Sequence, residues 1–226
     1  VEDFEKASVR LPEFRVETWL GLVFATLDPS APSLRETLGA LAAALDARGL
    51  GEMGLAARKE WELDCNWKVY VDNYLEGYHI PIVHPGLIKE IDYARYETET
   101  SGFWSLQHSP IRKRAGAKLR RDPTQPDSDA QFYWVYPNLM LSASADHVAS
   151  FVLHPRAVDR TEVVCTLLFD RDEAALDRFD PSDAGELWDL VNRQDWAVCE
   201  SVQRGMSSRA YRHGWFAPME DDSLDI

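Results

Sequence analysis

Two histidines five positions apart, His79 and His84, are the residues of this chain best suited to chemistry. Neutral imidazole is the commonest side-chain ligand of metal ions. Pro81 and Pro85 stiffen the backbone around the pair, so the two rings can converge on one cation without standing on successive turns of one helix. The spacing indicates a metal site. The alternative is that both are ordinary polar residues at a helix end.

Asp195 is the carboxylate that helical periodicity directs toward the protein interior. The segment from Ser182 to about Arg209 starts with residues that favour a helix N-terminus, and its apolar stripe consists of Leu187, Val191, Val198 and Val202. Asp195 falls inside that stripe, and a carboxylate aimed at a core is costly unless it is paired or bound to metal. The alternative is an Asp at the edge of the stripe that hydrogen-bonds a loop.

His79, His84 and Asp195 together would form a site of two histidines and one carboxylate. Such a set occupies one face of a cation and leaves the opposite face open, which is how non-haem Fe(II) oxygenases bind O₂ beside a substrate. The same ligands also bind Zn²⁺, and Glu76 would then be the base of a hydrolase. A binding module without metal is a third hypothesis.

One helix must position the histidine pair, and the residues from 66 onward predict it. Its apolar face consists of Trp67, Val71, Tyr74 and Tyr78, which should be buried. Asp72, Glu76 and His79 fall together on the opposite side. Gly77 weakens the helix, and the two prolines prevent its continuation through His84. The pattern places His79 at the helix end and His84 in the loop beyond it.

Alternating apolar residues and turn signals predict a series of strands around these helices. The predicted strands are Phe14–Leu20 and Leu22–Leu27 (hinged near Gly21), Ala56–Cys65, Tyr93–Gln107 (bent at Gly102), Phe132–Leu141, Ala149–His154 and Thr161–Phe169. Ser33 should cap a helix in which Leu34, Leu38, Leu41 and Leu45 recur. Residues 115–129 are predicted to be a solvated loop. Short polar connections between the strands favour an antiparallel sheet.

Composition excludes several classes of function. A formal net charge of −14 and a pI of about 4.8 over 226 residues argue against a nucleic-acid partner. No apolar run approaches the roughly 20 residues that span a bilayer, so a soluble protein is expected. Cys65, Cys165 and Cys199 are few and widely spaced, which suits a reducing cytoplasm. The chain starts with Val1 and no signal peptide, so we expect part of a longer polypeptide.

The run from Asn66 to Leu87 resembles the mononuclear-iron segment of the α subunits of Rieske non-haem iron oxygenases. The matching residues are Asn66-Trp67-Lys68, Glu76 with His79 and His84, and His84-Pro85-Gly86-Leu87. Weaker matches follow at residues 136–139, 194–200, 203–205 and 211–214. The resemblance implies that His79, His84 and Asp195 bind Fe(II). It also implies that Glu76, where most members have Asp, bridges to a redox cluster, and this Glu is typical of members that act on choline, betaines or carnitine.

The resemblance further implies an α+β, helix-grip (START/Bet v 1-like) fold. One antiparallel sheet of about six or seven strands would wrap around the long C-terminal helix, with residues 1–226 forming one mononuclear-iron catalytic domain. A Rieske [2Fe–2S] cluster needs two Cys and two His, and none of the three cysteines has a partner cysteine or a histidine two residues on. The cluster domain is therefore expected to be absent from this chain. The resemblance implies that a ferredoxin or reductase supplies electrons, which cross between neighbouring subunits of a homotrimer.

Aromatic residues offer a pocket for the small-molecule substrate. Phe132, Trp134 and Tyr136 share one strand face and Trp104 lies on another strand, an arrangement that would suit a quaternary ammonium ion or, alternatively, a plain core. O₂-dependent hydroxylation or oxidative demethylation of a quaternary amine and hydroxylation of an aromatic ring both stay open. The remaining histidines are predicted to be at the surface or locally hydrogen-bonded; they are His108, His147, His154 and His213.

Overall fold

The computed structural model describes residues 9–113, 118–119, 129–177 and 179–215. Most of the loop predicted for residues 115–129 therefore lies outside the described residues. The chain forms two compact units, Val1–Gly51 and Glu52–Ile226. Within the described ranges, no helix is both long and apolar enough to cross a bilayer.

The first unit contains a hairpin and two short helices. Strands β1 (Arg15–Trp19) and β2 (Leu22–Thr26) pair as predicted, and both turn residues, Leu20 and Gly21, have positive φ, as a tight two-residue hairpin turn requires. Ser33 caps α1 (Leu34–Leu38) in a reciprocal capping box with Glu36, which confirms the predicted cap. The single helix expected next is wrong, because Gly39 breaks it and α2 (Ala40–Ala47) follows.

The second unit is built on a seven-stranded sheet in which every neighbouring pair is antiparallel. Its order is β3-β9-β8-β7-β6-β5-β4. The strands are β3 (Met53–Leu63), β4 (Glu97–Ser101), β5 (Trp104–Pro110), β6 (Asp129–Val135), β7 (Leu139–Ala143), β8 (His147–Ala157) and β9 (Arg160–Asp170). The predicted α+β class with one antiparallel sheet is confirmed.

Two of the predicted strands are in fact strand pairs. The region Tyr93–Gln107 comprises a 3₁₀ turn at Tyr93–Arg95 and then the β4–β5 hairpin, because the chain reverses at Gly102 instead of bending there. The region Phe132–Leu141 contains β6 and β7, which are joined by a turn that includes the cis peptide bond Tyr136–Pro137.

A 25-residue helix, α7 (Ser182–Met206), lies against the sheet and confirms the predicted long C-terminal element. Its buried side is made of Ala184, Leu187, Trp188, Val191, Asn192, Asp195, Trp196 and Cys199. Asp195 therefore does face inward. The predicted stripe is wrong at its end, where Val202 is 46% exposed. Helix α6 (Arg171–Ala174) precedes α7 in the chain.

Helix α3 (Trp67–Leu75), capped by Asn66, packs against α7 but is shorter than expected. Val71 is buried, Trp67 and Tyr74 are partly buried, and Tyr78 is 60% exposed because the helix has already ended at Leu75. Two further helical turns follow, α4 (Ile80–Val83) and α5 (Leu87–Glu90). Pro81 lies in the first turn of α4, where its missing N–H is tolerated. The two histidines therefore flank α4 as its N-cap and C-cap, which corrects the predicted helix end and loop.

Candidate metal centre

His79, His84 and Asp195 converge on one point between α4 and α7. The Nε2 atoms of the two histidines are 3.1 Å apart, and Asp195 Oδ1 lies 2.8 Å from His84 Nε2 and 3.3 Å from His79 Nε2. His84 is 1% exposed and Asp195 is 7% exposed. Among the described residues, these three form the group whose ligand atoms could hold a metal ion. The structure thus brings together all three ligands predicted from the sequence.

Each of the three side chains is oriented by a neighbour. His79 Nδ1 bonds the Glu76 carboxylate, and His84 Nδ1 bonds Gln194 Oε1 at 2.9 Å. Both acceptors favour a proton on Nδ1 of each imidazole, so Nε2 is the atom that can bind a metal once it carries no proton. Asn73 donates to Asp195 Oδ1 at 3.0 Å.

The separations of the ligand atoms fit a transition-metal ion. Nitrogen and oxygen ligands lie about 2.0–2.2 Å from such an ion, so ligands at right angles to one another are about 2.8–3.1 Å apart. The three observed separations, 2.8, 3.1 and 3.3 Å, are close to that range. Three mutually adjacent ligands from two imidazoles and one carboxylate are the donor set of non-haem Fe(II) sites.

The electrostatics of the site favour a cation at the shared point. Burial opposes a charge on His79, but the carboxylates of Asp195 and Glu76 outweigh it and raise the pKa of His79 to about 9. Burial would likewise raise the pKa of Asp195, but hydrogen bonds from His79 and His84 hold that pKa below its usual range. In the metal-free chain a proton on His79 supplies the positive charge that a metal ion would otherwise bring.

Glu76 reaches His79 through a turn and not along a helix face. Glu76 follows the last residue of α3 in extended conformation, and its Oε2 accepts from the backbone N–H of His79 at 3.1 Å. The predicted contact between the two side chains is therefore present, while the helical geometry behind that prediction is wrong. Gly77 makes the turn possible, because a Cβ there would lie 2.5 Å from the Tyr96 ring.

A cavity with about 480 Å³ of empty space, part of it open to solvent, adjoins the three candidate ligands. The remaining lining residues are Asn73, Tyr74, Glu76, Ile80, Leu87, Tyr96, Gln107, Phe132, Ser142, Phe151, Trp188, Val191 and Asn192. Five of the sixteen lining residues are Phe, Tyr or Trp. Trp188 meets Phe132 and Phe151 edge to face, with centroids 6.3 Å apart in both pairs.

A second cavity lies on the other side of the Glu76–His79 pair. Both residues and Asn73 line it as well, together with Val69, Asp72, Tyr78, Val198, Cys199, Val202, Met206, Tyr211, Gly214 and Trp215. Several of these apolar side chains are exposed, Trp215 by 87% and Tyr78 by 60%. The hydrogen-bonded pair Glu76–His79 therefore borders both cavities.

The aromatic pocket predicted from the sequence is only partly correct. Phe132 lines the first cavity, but Trp134 is buried outside its lining, Tyr136 is 53% exposed, and Trp104 does not line it either. Sequence periodicity missed the other four aromatic wall residues, because Tyr74, Phe151 and Trp188 come from three separate elements and Tyr96 from a loop. Tyr74, whose hydroxyl donates to Leu141 O at 3.1 Å, was seen only as a core residue of its helix.

The remaining histidines lie away from the candidate metal centre. His108 Nδ1 is 3.0 Å from Asp129 Oδ2, which confirms a local hydrogen bond. His147 is completely buried and bonds locally to Asp146 and Ser144, but its Nε2 also accepts from the indole N–H of Trp188 at 2.8 Å. That long-range bond was not predicted, since no local pattern links residues 147 and 188.

Comparison with known proteins now decides the family. The model of the ring hydroxylating alpha subunit, catalytic domain, matches residues 50–224, which is more than three quarters of the chain. The chain belongs to that family. The Rieske oxygenase resemblance of the motif residues is thereby confirmed, and catalytic domains of this kind bind mononuclear iron.

This ring-hydroxylating α-subunit domain is similar to several characterised oxygenases. It is 31% identical over 217 residues to the carnitine monooxygenase oxygenase subunit of Acinetobacter pittii, covering 94% of this chain and 57% of the relative. It is 30% identical over 239 residues to the chloroplastic choline monooxygenase of Arabidopsis thaliana, covering 97% and 54%. The chain thus spans little more than half the length of these relatives.

Solved structures confirm the fold of the domain. The quaternary ammonium Rieske monooxygenase CntA in complex with an inhibitor superposes with a TM-score of 0.75 at 28% identity, covering 94% of this chain and 57% of that one. Naphthalene 1,2-dioxygenase from Rhodococcus superposes with a TM-score of 0.65 at 20% identity, covering 92% and 58%, and supports the fold alone. The helix-grip architecture expected from the sequence is confirmed.

Proposed function

We propose that this chain is the catalytic domain of an O₂-dependent oxygenase that uses one Fe(II) held by His79, His84 and Asp195. The observation that carries the proposal is the convergence of two Nε2 atoms and one Oδ1 within right-angle ligand distances, with both Nδ1 atoms already engaged. When bound, iron of this type activates dioxygen for insertion of an oxygen atom into a C–H bond.

The substrate that the cavity supports best is a small quaternary ammonium ion. Five aromatic side chains line the cavity, and a quaternary ammonium group is attracted to aromatic faces. The carboxylates of Glu76 and Asp195 add negative charge to the same lining. The relatives that are 30–31% identical are carnitine and choline monooxygenases. Hydroxylation of an aromatic ring is the second candidate, favoured by the same aromatic walls.

The residues of the chain have separate tasks in this proposal. The aromatic walls bind and orient the cation and exclude water from the metal centre. Gln194 and Glu76 keep the protons of His84 and His79 on Nδ1, so that Nε2 stays available to the metal. Asn73 orients the Asp195 carboxylate by donating to its Oδ1.

Glu76 is proposed to carry electrons toward His79 from a redox cluster outside this chain. The carboxylate bonds His79 Nδ1 and also lines the second cavity, so it can connect the metal-site imidazole to a cluster that docks there. One CntA structure is described as informing inter-subunit electron transfer in that protein. By analogy we propose a homotrimer, a Rieske [2Fe–2S] cluster supplied by a neighbouring subunit, and a ferredoxin or reductase as donor. Three free, buried cysteines support a cytoplasmic location.

The decisive experiment supplies oxygen and electrons together as hydrogen peroxide, since that reagent needs no cluster. The chain is loaded with Fe(II) and mixed with peroxide and a panel of choline, a betaine and an aromatic acid. Hydroxylation next to a heteroatom converts C–H and H₂O₂ into C–OH and water. The product then collapses to an aldehyde with release of the amine, where the heteroatom is nitrogen, or of water, where it is a hydroxyl oxygen. We expect aldehyde from an ammonium substrate, measured by trapping and mass spectrometry.

Matched variants separate this function from its rivals. Asp195→Ala should lose iron binding and aldehyde formation together, whereas Asp189→Ala, on the same helix but outside the linings of both cavities, should keep both. A hydroxylated ring as the sole product moves the domain to aromatic hydroxylation. Hydrolysis that requires zinc, or ligand binding that is indifferent to metal, would overturn the oxygenase proposal.

A further inference from the structure

Gln107 of β5 is a completely buried amide in the wall of the first cavity. Its Nε2 donates to the backbone carbonyl of Leu75 at 2.5 Å. A carbonyl oxygen only accepts, so this bond fixes which end of the amide carries nitrogen and leaves Oε1 at the other end. Within the described part of the chain, Gln107 Oε1 has no hydrogen-bond partner.

Gln107 differs in this respect from the other amide-bearing residues that line the cavity. Asn192 uses both ends of its amide: Nδ2 donates to Trp188 O and Oδ1 accepts from Tyr70, each at 2.6 Å. Asn73 is held by Asp195. Of the buried side-chain atoms without partners in the described residues, Gln107 Oε1 is the one whose residue lines this cavity. Buried acceptors are almost always paired, so the free oxygen points to a donor that a ligand brings.

The sheet places Gln107 in the same row as other cavity residues. Gln107 lies opposite Phe132 in β6, and Phe132 lies opposite Ser142 in β7. All three line the cavity, so the free acceptor adjoins an aromatic wall that suits an ammonium group. A ligand that places its cation on the rings therefore has a hydrogen-bond acceptor within one strand spacing, about 4.8 Å.

The charges of the lining disfavour a carboxylate on the ligand. Glu76 and Asp195 are its carboxylates, and the lining residues that the structure describes include no lysine or arginine. When Fe(II) is bound, its two positive charges are formally matched by those two carboxylates. A second anionic group would lose its hydration in the cavity without gaining a cationic partner.

Resting on the proposed function, we infer that the cavity selects a small organic cation that carries one hydrogen-bond donor and no carboxylate, and that Gln107 Oε1 accepts from that donor. The class is that of ammonium alcohols, as opposed to ammonium carboxylates. Gln107 is thus a specificity-determining residue, and the aromatic rings bind the cation that both classes share.

Isothermal titration of the Fe(II)-loaded chain with three trimethylammonium ions tests this. The ions are choline, propyltrimethylammonium, which lacks the hydroxyl, and glycine betaine, which carries a carboxylate. One net hydrogen bond predicts that choline binds about 3- to 10-fold tighter than the propyl ion. Betaine should bind at least about 10-fold more weakly than choline. Gln107→Leu and Gln107→Met should equalise choline and the propyl ion, while the control Gln131→Leu, on the neighbouring strand outside the cavity lining, should keep the preference.

The possible results separate this inference from the proposed function. Equal or tighter binding of the propyl ion or of betaine to the parent chain overturns the inference, and this comparison needs no variant to fold. A choline preference that survives in both Gln107 variants overturns the role of that residue. If no ammonium ion binds and the peroxide assay yields only a hydroxylated ring, the proposed substrate class fails, and the inference fails with it.

Discussion

Gly77 keeps the histidine pair in place by having no side chain. It lies between Glu76 and the exposed Tyr78, and a Cβ there would meet three atoms of the Tyr96 ring at 2.5–3.0 Å. Tyr96 lines the first cavity and packs against the core. The position therefore joins the turn that carries His79 to one wall of the cavity.

Gly77→Ala should destabilise the chain by about 1–3 kcal/mol, the usual cost of an added methyl group in a packed site. It should also weaken iron binding, because the turn or the Tyr96 ring must move. Urea unfolding and iron titration measure the two effects. Gly205→Ala is the control: nothing lies within 4 Å of its Cβ in α7, so the change should raise helix stability slightly. Equal behaviour of the two variants would contradict the steric argument.

His79 should make the stability of the metal-free chain fall with rising pH. Burial opposes its charge, but Asp195 and Glu76 raise the pKa of His79 to about 9, whereas an unfolded histidine titrates near 6.5. The stabilisation is fully present below about pH 6.5 and is lost as pH rises through about 9, by on the order of 2–3 kcal/mol.

Urea unfolding of the chelator-treated chain at about pH 6 and about pH 9 checks this expectation. His79→Gln provides the baseline, since it lacks the titrating group and should show a smaller loss. The iron-loaded chain should not share the decline, because the metal replaces the proton on Nε2. A pH profile that is identical in the parent and the variant would rule out the carboxylate-bound imidazolium.

The joint between β8 and α7 is a hydrogen bond between His147 and Trp188. Asp146 and Ser144 hold His147 Nδ1, which leaves Nε2 to accept from the Trp188 indole N–H at 2.8 Å. Trp188 in turn lines the first cavity. A polar contact thus fixes the aromatic wall relative to the sheet.

His147→Leu should cost about 1–3 kcal/mol of unfolding free energy, because the Trp188 N–H would be buried without an acceptor. His154→Leu, in the same strand but half buried, should change stability by no more than about 0.5 kcal/mol. Urea unfolding measures both, and near-ultraviolet circular dichroism reports the packing of the indole. If the free energy of unfolding falls equally in the two variants, the hydrogen bond between His147 and Trp188 is not what holds α7 to β8.

Elements with one dominant periodicity could be predicted from the sequence, and elements defined by a reversal could not. The length of α7 and the inward position of Asp195 follow from apolar spacing that local sequence fully expresses. Helix α4 could not be predicted, because a proline normally indicates the end of a helix. Pro81 instead lies in the first turn of a new helix, where proline is tolerated. The reversal at Gly102 could not be distinguished from a bend, since both need a flexible residue there and only strand pairing decides between them.

The candidate ligands were predictable because motif chemistry is local, whereas the cavity walls were not. His79 and His84 belong to one short segment, and Asp195 stands out within one helix. Gln107 and Trp188 reach the cavity through sheet register and the packing of α7, which depend on residues far apart in sequence. The prediction that Phe132 lines the pocket is correct, but the shared strand face behind it is not sufficient, since Trp134 and Tyr136 on that face do not line the cavity.

At the scale of the molecule, the position of Glu76 in the linings of both cavities predicts a specific defect for Glu76→Gln in an intact oxygenase that carries its Rieske cluster. The amide keeps the size and the hydrogen bond to His79 but loses the charge. Iron content at saturating iron should stay unchanged, and the rate at which electrons reach the mononuclear iron should fall by about 10-fold or more. Stopped-flow reduction and iron analysis measure the two.

Asp72→Asn is the matched control for Glu76→Gln, because Asp72 lines the same second cavity without bonding to His79. It should leave electron arrival near the parent value. Peroxide-driven turnover bypasses the cluster and should survive in both variants. Iron loss as severe as that of His79→Ala would show that Glu76 is itself a metal ligand.

Helix α7 is about 37 Å long at 1.5 Å per residue, and side chains from its successive turns line both cavities. The side chains concerned are, in order, Trp188, Val191 and Asn192 on the first cavity, Asp195 at the metal centre, and Val198, Val202 and Met206 on the second. A partner that shifts α7 by about 1 Å moves Asp195 by the same distance, whereas metal–ligand bond lengths tolerate a change of only about 0.2 Å. A partner that binds in the second cavity must therefore leave α7 in its present position, because a shift of this helix would move Asp195 out of metal-binding geometry.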